Sequence, residues 1–164
     1  MSGRLLLLLC FVALALAIGY GSAGASAATS CPVHEPQPLI PTRKGPRLLV
    51  RPGATSVLLC RYRGLNPRAT ALRLRSSRLI TRQSELASVV TGLNGLSVAK
   101  GVLNCPMDDG SAILARFSYP HRAATTVRIG LTGCRTVTGA YLPMRTAAGP
   151  DGARLLAELE RLVP

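Results

Sequence analysis

Residues capable of acid–base, nucleophilic or metal chemistry are few and scattered in this chain of 164 residues. Its two histidines, His34 and His121, lie in a proline-rich segment and at a predicted hairpin turn, and neither belongs to a nucleophile motif. The adjacent carboxylates of Asp108 and Asp109 are more typical of a turn than of an acid–base pair, and alone they supply too few oxygens for calcium. Sequence patterns of serine hydrolases, zinc proteases and phosphate-binding loops do not occur. The sequence therefore predicts a protein that is not an enzyme and that uses no metal or cofactor.

The first 28 residues have the features of a secretory signal peptide. Arg4 gives a positive start, residues 5–18 form an apolar run, and small residues follow up to Ala28. The run is short for a membrane span, and no lipid-attachment motif precedes Cys31. We therefore expect a secreted protein, extracellular or in the cell envelope, with no stable membrane anchor. The predicted organisation is a signal peptide at 1–28, a basic proline-rich leader at 29–52 and one domain at 53–164.

The cysteines predict cross-links. Besides one cysteine inside the apolar run, four remain, and an even number in an exported chain is typical of disulfides. They are Cys31, Cys60, Cys105 and Cys134. Each stands far from the next, whereas a zinc site needs close pairs such as Cys-x-x-Cys.

Alternating apolar and polar residues predict an antiparallel sheet, and longer periods predict two helices. The predicted strands are 56–63, 70–80, 112–119, 125–131 and a short one at 135–141; the predicted helices are 83–93 and 151–162. This is an α+β domain, an antiparallel sheet of four to five strands with two helices. A hairpin that turns near His121 brings Cys105 and Cys134 together. Cys31 and Cys60 are then left to attach the leader, which we expect no other residue to hold.

The chain is strongly basic, with a formal net charge of +13. Such a charge favours anionic partners, although the absence of tryptophan and the scarcity of other aromatic residues argue against nucleic acid. If the four main strands share one sheet, six arginines project from one polar face and could hold polyanions bidentately. They are Arg61, Arg63, Arg73, Arg75, Arg116 and Arg128. The alternative is that this face is simply the solvated side of the sheet.

The core of the chain, from Val57 to Gly139, resembles small secreted proteins of high-GC bacteria that have no assigned function. The residues that carry the resemblance are Cys60-Arg61-Tyr62, Leu93-Asn94, Asn104-Cys105-Pro106, Asp108-Asp109-Gly110 and Gly133-Cys134-Arg135-Thr136-Val137-Thr138. This resemblance implies no chemistry.

A shorter part is similar to the subtilisin-inhibitor-like family of secreted protease inhibitors. The matching residues are Glu85-Leu86-Ala87, Leu93-Asn94, Cys105-Pro106-Met107 and Cys134. The resemblance implies that Met107 enters the primary pocket of a protease, with Met107 and Asp108 flanking the reactive bond, and that Cys105–Cys134 holds the loop rigid. The chain departs from the family in two ways: no cysteine can form the second disulfide near the loop, and two aspartates follow Met107.

The sequence thus predicts an exported, monomeric binding module that is not an enzyme. Its expected partner is an anionic cell-wall polymer or an extracellular protein, contacted through the arginine-rich face. The alternative function is that of a subtilisin-inhibitor-like serine protease inhibitor.

Overall fold

The computed structural model describes residues 30–37, 43–44, 48–65 and 72–164. The predicted signal peptide and part of the predicted strand at 70–80 lie outside these residues. The elements, in chain order, are β1 (Arg43–Lys44), β2 (Ser56–Tyr62), β3 (Leu74–Ile80), α1 (Gln83–Gly95), β4 (Ser97–Val98), β5 (Ala112–Tyr119), β6 (Arg122–Gly130), β7 (Thr136–Thr138), β8 (Tyr141–Leu142), β9 (Arg145–Thr146) and α2 (Pro150–Leu162).

Seven of the described strands form one antiparallel sheet in the order β3-β2-β5-β6-β7-β9-β4, and β1 pairs with β8 separately. The predicted α+β class is therefore confirmed, with its two helices. The predicted count of four to five strands is too low, because β4 and β9 have two residues each. An alternating pattern needs about four residues to be recognised, so strands of this length leave no signal in the sequence.

The main core lies between the sheet and the two helices. Alternate residues of the central strands, such as Val57, Leu59 and Ile113, are fully buried on the side that faces the helices. Helix α1 contributes Leu86, Val89 and Leu93 to this core, and helix α2 contributes Leu155, Leu156, Leu159 and Leu162. Spacings of three and four residues place each set on one face of its helix, which is why the helices pack flat against the sheet.

A second, smaller core lies on the opposite face of the sheet. It is made of Leu58, Cys60, Tyr62 and Leu114, packed against Cys31, Leu72 and Leu74. Residues 31–35 of the leader contribute to its cover and extend the edge of the sheet, since the Glu35 amide donates to the Leu72 carbonyl and the Leu74 amide to the Val33 carbonyl, both at 2.8 Å. The central strands are therefore covered on both faces.

The leader is held by more than Cys31, which corrects the prediction. The Glu35 carboxylate, 7% exposed, lies 2.7 Å from the Arg128 guanidinium, and the Tyr62 hydroxyl donates to the Pro32 carbonyl at 3.1 Å. Burial, together with the charge of Glu35, raises the pKa of Tyr62 above its usual value. Removing one partner of a partly buried ion pair is destabilising, because the other charge is left buried and unpaired. Residues 31–35 of the leader are therefore a structural part of the domain.

Both predicted disulfides are confirmed. Cys31 is bonded to Cys60, and Cys105 is bonded to Cys134. Two disulfides are typical of proteins in an oxidising, extracellular environment. In the described part of the chain, no helix has the length and the apolar character needed to cross a membrane.

The two disulfides offer a matched stability test, because each joins cysteines 29 residues apart. Chain entropy alone assigns each about 3–4 kcal/mol. We expect the pair of substitutions Cys105→Ser and Cys134→Ser to lower the free energy of unfolding by this amount. We expect Cys31→Ser with Cys60→Ser to cost at least about 1 kcal/mol more, because the leader then loses its tether over the smaller core. Urea denaturation at neutral pH measures both; equal losses would contradict a stabilising role of the leader.

Candidate functional site

The six arginines that were predicted to share one face of the sheet lie on both of its faces. In the register of β2 with β5, Arg61 is opposite Ile113, whereas Arg116 is opposite Leu58. Paired residues project to the same face and successive residues alternate, so Arg61 faces the helices and Arg116 faces the side of the leader. The prediction of a single arginine face is therefore wrong. Alternation within a strand does not determine how neighbouring strands align.

Two of the six arginines hold the fold together. Arg61 lies 3.1 Å from the Glu160 carboxylate and donates to the Val163 carbonyl at 3.3 Å, which attaches the end of α2 to β2. Arg128 attaches the leader through Glu35. Their side chains are only 15% and 20% exposed, so neither is placed to bind an external polymer.

Arg63 and Arg73 lie directly opposite each other at the end of the β2–β3 pair. The Arg63 amide donates to the Arg73 carbonyl at 3.0 Å, one step beyond the pair Tyr62 and Leu74. His34 of the leader pairs with Arg73 from the other side. All three side chains are exposed. Like charges placed directly opposite each other are destabilising, so an anion bound between the two arginines would relieve a repulsion that the free protein carries.

Arg75 reaches the same region through a β-bulge. Arg61 pairs with Ser76 and Tyr62 pairs with Leu74, so Arg75 is the extra residue of β3 and has no partner on β2. Bulges redirect side chains, and this one turns an exposed arginine toward the groove beside Arg63. Arg63, Arg73 and Arg75 are called the basic corner below. None of them forms an ion pair with another described residue.

Two adjoining grooves open at the basic corner. The first has a volume of about 450 Å³ and is lined by Arg63, Gly64, Leu65, Arg73 and Leu74. The second, of about 280 Å³, is lined by Arg61, Tyr62, Arg63, Gly64, Arg75, Asp109, Ser111, Leu131, Thr132 and Glu160. The grooves share Arg63 and Gly64. In the second groove the Glu160 carboxylate is paired with Arg61, whereas Arg63 and Arg75 have no ion pair with another described residue. The Asp109 carboxylate also lines this groove and is held by hydrogen bonds from Thr132 and Ser111.

The loop at 105–110 packs directly beside the basic corner. The Leu65 amide donates to the Asp109 carbonyl at 2.7 Å, and a side chain at Gly64 would overlap that same carbonyl. The Asp109 carboxylate accepts hydrogen bonds from the Thr132 hydroxyl at 2.6 Å and the Ser111 amide at 2.8 Å. These bonds, that of Thr132 above all, lower the pKa of Asp109 below its usual value. The predicted turn at Asp108 and Asp109 is thus held in place by hydrogen bonds of the Asp109 side chain and backbone.

Met107 is the exposed apex of this loop. Its side chain is 91% exposed, and the Cys105–Cys134 disulfide closes the loop below it. Its φ is +60°, and two other residues of this end also have positive φ, Leu65 at +42° and Arg135 at +47°. Such conformations cost about 1–3 kcal/mol each and cluster at functional sites. Three strained residues, an exposed apolar tip and the basic corner therefore occupy one end of the molecule.

The remaining sequence candidates lie apart from this end or within the fold. His121 is in the turn between β5 and β6, at the opposite end of these strands from Asp109. Across the described residues, no three histidine, cysteine, aspartate or glutamate side chains gather as a metal site. Two residues that sequence reasoning did not select are Gly64 and Leu65. Their only signal was the turn pattern after β2, which did not show that this turn contacts the 105–110 loop.

Comparison with known proteins adds no assignment: no protein family, no curated protein and no solved structure matches this chain. Both resemblances inferred from the sequence therefore remain predictions.

The contact between Gly64 and the loop gives a stability prediction. We expect Gly64→Ala to lower the free energy of unfolding by about 1–3 kcal/mol, because the added methyl group meets the Asp109 backbone, which cannot rotate away. Gly95→Ala is the matched control: nothing lies within 4 Å of the added carbon, and Gly95 is the last residue of α1, where alanine is favourable, so we expect no loss of stability. Urea denaturation gives both values, and hydrogen exchange of the 105–110 amides locates the effect. Equal stability of the two variants would contradict a close contact between Gly64 and the 105–110 loop.

Proposed function

We propose that this protein is an exported, non-enzymatic binding module that attaches to an anionic polymer of the cell envelope through the basic corner. The observation that carries the proposal is the set of three exposed arginines around two adjoining grooves, none of them paired with another described residue. The proposal replaces the predicted six-arginine face with the three members that line the two grooves; Arg116 is exposed as well but lies outside them.

The chemistry of arginine supports this ligand class. A guanidinium group remains charged at any physiological pH and presents paired donors that match phosphate and carboxylate oxygens. An anion between Arg63 and Arg73 would be held by charge-assisted hydrogen bonds, which are about twice as strong as neutral ones. The overall positive charge would also attract a polyanion from a distance and raise the association rate.

Charge reversal at the corner tests the proposal. We expect Arg73→Glu with Arg75→Glu to weaken binding to purified anionic wall polymer by at least about tenfold, which corresponds to about 1.4 kcal/mol. The matched control is Arg122→Glu with Arg161→Glu, since both arginines are exposed and lie outside the grooves. Its net charge is the same, so it reports on attraction by charge alone. Co-sedimentation with wall polymer at constant ionic strength measures both variants, and equal binding would argue against the corner.

A second function, inhibition of a serine protease, is favoured by Met107. An exposed apolar residue at the apex of a disulfide-closed loop is preorganised for insertion into a pocket, which lowers the entropic cost of binding. Its positive φ is unfavourable for this function, because a chain that aligns along another as an added strand needs extended backbone. Met107 would therefore have to change from its left-handed backbone conformation to an extended one when it binds a protease.

Protease titration separates the two functions. If the protein is an inhibitor, it should inhibit subtilisin stoichiometrically at micromolar concentration, and Met107→Lys should transfer inhibition to trypsin. Val102→Lys is the control, since Val102 is 99% exposed but lies outside the loop. The absence of inhibition of both proteases would eliminate this function and leave anion binding unaffected.

A further inference from the structure

The two grooves of the basic corner meet at one arginine, and this limits the kind of anion that can use all three arginines. Arg73 lines only the first groove and Arg75 only the second, whereas Arg63 lines both. A single small anion between Arg63 and Arg73 would leave Arg75 unpaired. A ligand that neutralises the whole corner must place anionic groups in both grooves at once.

We propose that the ligand is a linear phosphodiester polymer without bases, whose successive phosphates occupy the two grooves on either side of Arg63. This inference rests on the proposed function and specifies its ligand. A polymer gains from the arrangement because its second contact forms within the same complex, at a high effective concentration.

The size of the grooves is compatible with a chain of this type. Their volumes are about 450 and 280 Å³. One water molecule takes about 30 Å³ of liquid, so each groove can hold a phosphate group with part of its hydration shell. The two grooves share Arg63 and Gly64 in their linings, so a chain that occupies both would cross at these two residues.

The lining of the grooves disfavours nucleic acid. Single-stranded nucleic acid is held largely by stacking of bases on exposed aromatic rings. The only aromatic ring among the lining residues is Tyr62, which is fully buried and donates its hydroxyl hydrogen bond to Pro32. The second groove instead offers the guanidinium donors of Arg63 and Arg75, which match phosphate oxygens. A polymer of the poly(glycerol phosphate) type supplies phosphates without bases.

Titration calorimetry with three probes tests the inference: glycerol 3-phosphate, a synthetic oligo(glycerol phosphate) of several repeats, and an oligothymidylate with the same number of phosphates. We expect the oligo(glycerol phosphate) to bind at least about 100-fold more tightly than glycerol 3-phosphate, because linked contacts give gains of this size. We expect the oligothymidylate to bind more weakly than the oligo(glycerol phosphate).

Single substitutions then assign the grooves. Arg73→Gln and Arg75→Gln should each weaken oligomer binding about tenfold, and each should lower the slope of log affinity against log salt by about one. Arg63→Gln should weaken it more than either, since it removes a contact from both grooves. Arg122→Gln, outside the grooves, is the control and should leave binding within about twofold.

The outcomes distinguish this inference from the function on which it rests. If no phosphate probe binds but wall polymer still co-sediments in a way that depends on Arg73 and Arg75, this inference is wrong and the proposed function stands. If neither the probes nor the wall polymer bind, the proposed function itself fails. If glycerol 3-phosphate binds as tightly as the oligomer and depends on the same arginines, anion binding stands but the two-groove polymer is wrong. Equal or tighter binding of the oligothymidylate would overturn the exclusion of nucleic acid.

Discussion

The burial of strand β2 on both faces is the constraint on which the rest of the structure depends. All residues from Val57 to Cys60 are buried, so apolar side chains project to each side of the sheet. An exposed apolar face would be unfavourable in water, and each side therefore needs a cover. The helices cover one side, and the leader covers part of the other through Cys31 and the pair of Glu35 with Arg128. The same arrangement uses Arg61 and Arg128 in ion pairs within the fold, whereas Arg63, directly after β2, is exposed and has no ion pair with another described residue.

The features that were predicted correctly are those that depend on residues close together in the sequence. The helices follow from the three- and four-residue spacing of leucine and valine, and the Cys105–Cys134 disulfide follows from a hairpin whose turn at Pro120 and His121 is visible in the sequence. The arginine face failed because it required a comparison between strands. Whether Arg61 shares a face with Arg116 depends on the register of β2 and β5, and a shift of one residue reverses the answer.

The leader and the candidate site show the same limit. The ion pair that holds the leader joins Glu35 to Arg128, which lies 93 residues away along the chain. Val50 is likewise bound through its backbone to the Asn94 side chain, 44 residues away. The basic corner needed a bulge to bring Arg75 beside Arg63, and an irregularity of one residue leaves no periodic signal. Long-range polar contacts and local irregularities are thus what sequence patterns could not provide.

The contact between the basic corner and the 105–110 loop explains why both candidate functions fall at one end of the molecule. Gly64 permits the loop backbone to approach the arginine groove, and the Asp109 hydrogen bonds hold it there. Left-handed backbone at Leu65 and Met107 persists only because these contacts and the disulfide offset its cost. Rigidity of this kind benefits either ligand, because a preformed site loses little entropy on binding. The two functions differ in which side chain makes the contact: an arginine satisfied by an anion, or a methionine buried in a pocket. Because the arginines carry repulsion that an anion would relieve, whereas the methionine must change its backbone conformation to insert, the geometry favours the anion.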